Sequence, residues 1–464
     1  MPKANTTCPP NSSTLLAGSL PAQLHRAVKW LLDSSSWKAL APHGNTSWTF
    51  SELLLLALFW VWSDAATLTG AFAHARHLAG TLLGKVALTS YTGFAGSLDT
   101  WTTALMPRLR AILHQRMESV AGTHWRIGGW LPLALDGSRT SAPRTKANEA
   151  KLCPRRWGRG AKAKSRASWK NKRRRSKRLS QPVRPQAWLT LVWHMGLRMP
   201  WAWRCGPSNA SERQHATEML EAEDFPEKTL FCADAGFVGH DLWQAMAGRG
   251  HHFLIRVGAN VRLLRGLGRV KRHGCDIVHF WPRHVAARNR SPMVLRLLKF
   301  QVGRCAMHAV TNVLSERALS AAQAVRLYRA RWGVEVQFRT LKQTFGRARL
   351  HSRTPERVLR ELEWSLVGLW LVQLLAAAEQ IPAGIAPERT SVSVALQVFR
   401  DAMGCGRAWG LKRSLREAKT DAYERTRPKK SRHRTPFKDR PSAKRPRVER
   451  ATAEERRKYK TLNG

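Results

Sequence analysis

Short apolar runs of strand length alternate with helical segments between residues 126 and 258, and this alternation limits the fold more than any other feature. Helical segments begin near Ser211 and near Leu242, after the third and the fourth run. Apolar runs of this length, bounded by polar residues, are typical of buried strands. The alternation therefore predicts a mixed α/β domain around a buried sheet. The five runs are rich in Trp, Val and Leu and cover residues 130–135, 188–195, 199–205, 229–233 and 252–257.

Three strands, a helix, a strand, a helix and a strand is the order of a ribonuclease-H-like α/β domain, which we predict for residues 126–258. Two of its strands end at an aspartate, Asp136 after residues 130–135 and Asp234 after residues 229–233. Ligand sites of open α/β sheets lie at strand ends, so the two carboxylates are candidate site residues. Taken singly, either aspartate is more often a simple turn residue.

The regions around this core are predicted to form four further parts, and a basic loop is predicted within the core. Residues 1–125 read as a helical N-terminal domain, for which DNA binding and simple packing are equally open interpretations. Residues 259–318 read as a β-rich insertion, and residues 319–405 as core helices. A basic loop at 154–184 and a basic tail at 406–464 carry too many like charges to pack, so both are predicted to be disordered.

A long helix is predicted from about Ser320 to Phe345, and it carries the strongest local pattern. Tyr328, Arg331, Glu335 and Lys342 are spaced by three, four and seven residues. At about 100° per residue these side chains fall on one helix face. One carboxylate among three groups that bind phosphate suits the wall of a DNA cleavage site. A solvated charged face with ion pairs is the structural alternative.

Taken together, Asp136, Asp234 and Glu335 indicate a metal-ion site, which none of them would indicate alone. Hard cations such as Mg²⁺ prefer carboxylate oxygens. Two strand-end aspartates and a helix glutamate could hold two such ions, the arrangement used for phosphodiester chemistry.

The spacing Y-x2-R-x3-E-x6-K, met by Tyr328 to Lys342, resembles the signature of the insertion sequence four family of bacterial DDE transposases. The segments around the two aspartates, Leu135–Arg139 and Ala233–Phe237, resemble the aspartate motifs of that family. With Asn148–Ala150 and Ser90–Phe94, the resemblance covers roughly residues 45–375.

The resemblance implies cut-and-paste DNA transposition, with Asp136, Asp234 and Glu335 as ligands of two Mg²⁺ ions that Mn²⁺ could replace. It further implies a homodimer that binds terminal inverted repeats and target DNA in a synaptic complex. The phosphate contacts would come from Tyr328, Arg331 and Lys342. Relatives stack a flipped base on an aromatic residue of the insertion. Trp281 is the candidate here, with burial beside Val278 and Phe280 as the alternative.

Charge supports a polyanionic partner, because 79 Lys and Arg stand against 31 Asp and Glu, a net charge of +48. The most apolar run, Leu53 to Trp62, is too short to span a bilayer, which requires about 20 residues. Seven scattered cysteines indicate a reducing compartment. We therefore expect a cytoplasmic, nucleoid-associated bacterial protein without a membrane partner.

Three alternatives to a transposase stay open on the sequence. A nuclease of the same fold would cut DNA without strand transfer, and an inactive or domesticated descendant would only bind it. An RNA-binding protein would explain the charge but not the order of the motifs.

Overall fold

Three consecutive helices open the described part of the chain: α1 Phe50–Trp62, α2 Leu68–Leu83 and α3 Tyr91–Ala121. A computed structural model describes residues 46–153, 184–267, 276–302, 305–404, 414–420 and 445–463, with isolated positions nearer the N-terminus. Thr49 caps α1 by accepting a hydrogen bond from the backbone N–H of Glu52. The Glu52 carboxylate accepts from the Leu88 N–H instead of closing a capping box, so it joins α1 to the segment before α3.

In the described ranges, ten strands form one mixed sheet in the order β10-β6-β7-β8-β9-β5-β4-β1-β2-β3. Strand β1 is parallel to β4 and antiparallel to β2, and β5 is parallel to β4. In this central part of the sheet, the parallel neighbours β4 and β5 are joined through a helix, whereas the antiparallel neighbours β2 and β3 follow each other directly. The order of the central strands therefore agrees with the alternation of apolar runs and helices in the sequence. The strands are β1 Leu131–Ser141, β2 Gln186–His194, β3 Met199–Pro207, β4 Thr229–Ala233, β5 His252–Val257, β6 Arg262–Arg265, β7 Ile277–Phe280, β8 Met293–Val302, β9 Cys305–Thr311 and β10 Arg447–Arg450.

The strands of the predicted insertion continue the core sheet. Strand β9 pairs with β5 of the core through Leu254 and Thr311, and β8 pairs with β9. One expectation for the core was wrong. Strand β1 does not stop at Asp136 but continues to Ser141, because its second half pairs with β2 after its contact with β4 has ended.

The remaining helices flank the sheet, and α10 forms the centre of the helical layer. Helix α10 is long and apolar enough to cross a membrane, but 89% of its apolar window is buried inside the fold. The indole N–H of Trp62 donates to the Gly368 carbonyl and that of Trp364 to the Thr102 hydroxyl, so α1 and α3 pack on this helix. The helices are α4 Lys146–Leu152, α5 Glu212–Ala222, α6 His240–Gly248, α7 Arg283–Ala287, α8 Ala321–Ala330, α9 Gly333–Gln343, α10 Pro355–Gln380, α11 Val392–Ala402 and α12 Ala453–Asn463.

The single long helix predicted from Ser320 to Phe345 is broken into α8 and α9. Around the break, hydrogen bonds span three residues instead of four, as in Trp332 N–H to Arg329 and Glu335 N–H to Trp332. This tightening is typical of a short 3₁₀ turn.

The tail prediction was wrong for its last part. Strand β10 pairs in parallel with β6, and α12 follows it. The side chain of Arg262 forms ion pairs with both Glu449 and Glu455, at 2.6 and 2.7 Å. The acidic residues of this segment therefore pair with a cation of β6, a stabilising contact that the prediction of disorder did not take into account. Residues 405–413 and 421–444, and the basic loop at 154–183, lie outside the described residues.

Candidate active site

Two neighbouring parallel strands bring Asp136 and Asp234 to the same part of the sheet. The last pair in the register of β1 and β4 is Leu135 with Ala233, and each aspartate comes directly after its member of that pair. The Asp136 carboxylate accepts a hydrogen bond from the Gly137 N–H at 2.8 Å. The Asp234 carboxylate accepts from the Gly236 N–H at 2.7 Å, which closes a tight turn after β4. Both carboxylates are thus held by their own backbone.

Glu335 reaches the aspartates from the first turn of α9, and the three carboxylates line one cavity of about 460 Å³. The cavity also contains two cationic residues from α9, Arg339 and Lys342. The complete lining is Asp136, Gly137, Ser138, Asp234, Arg331, Glu335, Phe338, Arg339, Lys342 and Gln343. The structure therefore brings together the three predicted catalytic residues.

Arg331 lies between the carboxylates. Its guanidinium is 3.2 Å from the Asp136 Oδ2 and 3.8 Å from the Glu335 Oε1. Burial raises the pKa of Asp136, while the Gly137 N–H and the Arg331 charge oppose that rise. The side chain of Glu335 remains 46% exposed, so it can turn toward a ligand in the cavity.

The other residues of the helix motif separate. The Lys342 ammonium lies in the cavity and donates to the Ser138 hydroxyl at 2.7 Å, and burial lowers its pKa. Tyr328 is buried against Phe300, and the guanidinium of Arg331 lies over its ring at 5.5 Å. Tyr328 thus supports Arg331 from below and does not line the cavity.

The donor set fits a hard divalent cation, because all three candidate ligands are carboxylates. As the side chains stand, no three Asp, Glu, His or Cys residues in the described ranges are close enough to enclose a metal ion. Arg331 takes up part of the space between Asp136 and Glu335. Metal binding therefore requires a rotation of Arg331 or of the half-exposed Glu335.

Trp281, the candidate for base stacking, lies away from this cavity and is 3% exposed. It packs in a small cluster with Leu264, Leu267, Val285 and Ala451. Its indole N–H donates to the Arg290 carbonyl at 2.8 Å. These contacts are those of the packing alternative, although the residue also lines a separate cavity of about 820 Å³, so base stacking by Trp281 stays a prediction.

Two residues near the site were not found by the sequence reasoning. Trp332 lies between Arg331 and Glu335 in the chain and is 61% exposed, and exposure cannot be read from a motif. Glu212, the first residue of α5, has its carboxylate beside Gly137 and Gly236. Nothing in its local sequence distinguishes it from an ordinary helix-start glutamate.

The chain is similar in sequence to known transposases. A family model described as the transposase DDE domain matches residues 132–371. The transposase InsG of insertion sequence element IS4 from Escherichia coli strain K12 is 29% identical over 201 residues, which cover 40% of this chain and 44% of InsG. The match thus spans less than half of that relative. The piggyBac transposase in a synaptic complex with hairpin DNA is 12% identical, with a TM-score of 0.39, and the match covers 84% of this chain and 80% of that one.

The matched range includes both aspartates, Glu335 and the Tyr-Arg-Glu-Lys segment, and proteins with this domain generally use divalent metal ions. The resemblance to the insertion sequence four family is confirmed by the InsG match. Because the family model covers more than half of its 464 residues, the chain belongs to the transposase DDE domain family.

Proposed function

We propose that this protein is a DDE transposase that cleaves DNA at the ends of a mobile element and joins those ends to target DNA. The observation that carries the proposal is the cavity shared by Asp136, Asp234, Glu335 and three cationic side chains. Its partners would be terminal inverted repeats and target DNA, bound by a homodimer. We assign the central sheet to the ribonuclease-H-like class because β1 to β5 follow that order.

Asp136, Asp234 and Glu335 would hold two Mg²⁺ ions, for which Mn²⁺ could substitute. Such ions activate the attacking oxygen and stabilise the leaving one in phosphodiester chemistry. The protein's own cations have a separate task. Lys342 and Arg331 would contact the phosphates next to the cleaved bond, Lys342 from a position that Ser138 fixes. The site would act in the bacterial cytoplasm, where its DNA lies.

A cleavage assay tests the proposal, using the inverted repeats that flank the gene in its genome and Mg²⁺ or Mn²⁺. We expect the wild type to cut at the repeat end and to join the cut end to a target plasmid. Glu335→Gln should lower the rate at least about a thousandfold, because metal-ion catalysis contributes several kcal/mol. It should still bind the repeat DNA.

Glu221→Gln is the control, since Glu221 is exposed on α5. Cutting without joined products would replace the proposal with a nuclease of the same fold. Binding without cutting by the wild type, with both ions tried, would replace it with an inactive descendant.

A further inference from the structure

We propose that Glu212 is a fourth carboxylate of the active site, a positioning residue that helps the two aspartates to hold a divalent cation. The inference rests on the proposed function and goes beyond the three residues that the motifs provide. Glu212 belongs to α5, whose helix follows β3, so it approaches the aspartates from a different element than Glu335 does.

The position of the carboxylate is the first argument. Its Cδ lies 2.9 Å from the place that a Cβ on Gly137 would occupy, and its Oε1 would overlap that Cβ. Its Oε2 lies 3.2 Å from the place of a Cβ on Gly236. Gly137 follows Asp136 directly, and Gly236 comes two residues after Asp234. The Glu212 carboxylate thus fills the space between the two segments that carry the aspartates.

The glycines are the second argument. Neither Gly137 nor Gly236 has a positive φ, so their backbone conformation does not require glycine. A side chain at Gly137 would collide with the carboxylate of Glu212. A side chain at Gly236 would contact the carboxylates of both Glu212 and Asp234. The absence of side chains at 137 and 236 keeps the approach of Glu212 open.

The electrostatic surroundings are the third argument. Burial, followed by the negative charges of Asp234 and Asp136, raises the pKa of Glu212 to about 7, so the three carboxylates are close enough to repel one another. The positive charge of Arg139 opposes that rise. Within the residues that the structure describes, however, the Glu212 carboxylate accepts no hydrogen bond and forms no ion pair. Carboxylates gathered in this way are stabilised by a shared cation.

A structural role is the competing explanation, because acidic residues in the first turn of a helix stabilise it through the helix dipole. The helix start already has a cap, the Ser211 hydroxyl, which accepts from the Gln214 N–H. A dipole effect also makes no use of a carboxylate placed over Gly137.

Mn²⁺ binding to the full chain without DNA, followed by electron paramagnetic resonance of the free ion, separates the two roles. Glu212→Gln removes the charge. Gly137→Ala keeps the charge but displaces the carboxylate, whose flexible end is what the new methyl group would meet. We expect both to weaken Mn²⁺ binding at least about tenfold, as changes around metal ligands commonly do. The exposed Glu221→Gln on the same helix should bind like the wild type.

Thermal unfolding of each variant accompanies the titrations. Unchanged Mn²⁺ affinity in Glu212→Gln with a lowered unfolding temperature would assign the residue to helix stability and overturn the inference. Glu335→Gln is the reference. If it weakens Mn²⁺ binding and Glu212→Gln does not, the proposed function stands and the role of Glu212 falls. If the wild type binds no Mn²⁺, both fall.

Discussion

Arg331 offsets the mutual repulsion of Asp136 and Glu335 in the candidate active site. It is 9% exposed and contacts both Asp136 and Glu335, while the ring of Tyr328 lies beneath its guanidinium. Buried charges are tolerated when they are paired. Under the proposed function, the same guanidinium would contact a DNA phosphate once a cation took its place between the carboxylates.

Trp332, next to Arg331 in the chain, is 61% exposed, whereas Trp281 is buried. We expect Trp332→Ala to weaken binding to cleaved repeat ends by about 1–3 kcal/mol, the usual contribution of a base stacked on an aromatic ring. Trp332→Phe should retain most of the affinity. Equilibrium binding to labelled DNA measures both effects.

Trp281→Ala is the contrasting variant, because it removes a packed ring and a hydrogen bond to the Arg290 carbonyl. It should lower the unfolding temperature, and Trp332→Ala should not. Equal DNA affinity of wild type and Trp332→Ala would rule out stacking by this residue.

The break between α8 and α9 sets the direction from which Glu335 enters the cavity. Gly333 begins α9, and a Cβ at this position would lie 2.8 Å from the Cζ3 of the buried Trp193 of β2. The close approach of helix and ring fixes the start of α9 against the sheet. Glu335 follows two residues later, so its position depends on this contact.

Gly333→Ala should therefore push α9 away from β2 and impair cleavage, with a loss of about 1–3 kcal/mol in the free energy of unfolding, as overpacking usually costs. Trp193→Phe removes part of the ring that the methyl group would meet. The double variant should regain stability and activity relative to Gly333→Ala. Denaturant unfolding and the cleavage assay check this, and a fully active, stable single variant would contradict it.

Local pattern was enough to predict some elements, and tertiary contacts decided others. Strands β4 and β5 have the predicted bounds because polar residues or turns flank a short apolar run on both sides. The helix break at Gly333 depends on Trp193, 140 positions earlier in the chain. Strand β10 is exposed and charged, so only its pairing with β6 makes it a strand. Glu212 reaches the site through the fold alone.

A stack of buried and partly buried aromatic rings joins the helical layer to the sheet. His114 of α3 stacks on Trp201 of β3 with ring centroids 4.0 Å apart, and Trp125 stacks on His194 of β2 at 5.0 Å. The Nδ1 of His194 accepts from the Leu197 N–H, and its Nε2 faces the Trp125 carbonyl. Both ring nitrogens of the neutral His194 thus have a hydrogen-bond partner. A proton added to Nδ1 would face the Leu197 N–H and would find no acceptor.

Acid should destabilise the fold through these histidines. Burial lowers the pKa of His114 to about 4 and that of His194 to about 3. Since the unfolded chain takes up these protons near pH 6.5, the stability is complete above that pH and is lost as the pH falls toward 4. For His114 the loss is about 3 kcal/mol.

Urea unfolding between pH 7.5 and 4.5 measures this loss. His114→Phe keeps a ring against Trp201 but cannot be protonated, so its stability should fall less over that range. His77→Phe changes an exposed histidine and serves as the control. The same pH dependence in wild type and His114→Phe would contradict the prediction.

The parallel pairing of β10 with β6 determines when the edge of the sheet is covered during synthesis. Arg262 leaves the ribosome about 185 residues before its partner Arg447, which at 5–20 residues per second is roughly 10–40 s. During that interval β6 is an open sheet edge, the kind of surface on which nascent chains aggregate. Its shortness and its two terminal arginines, Arg262 and Arg265, are features that protect such edges. The edge at β6 is thus closed only after residues 447–450 have been made.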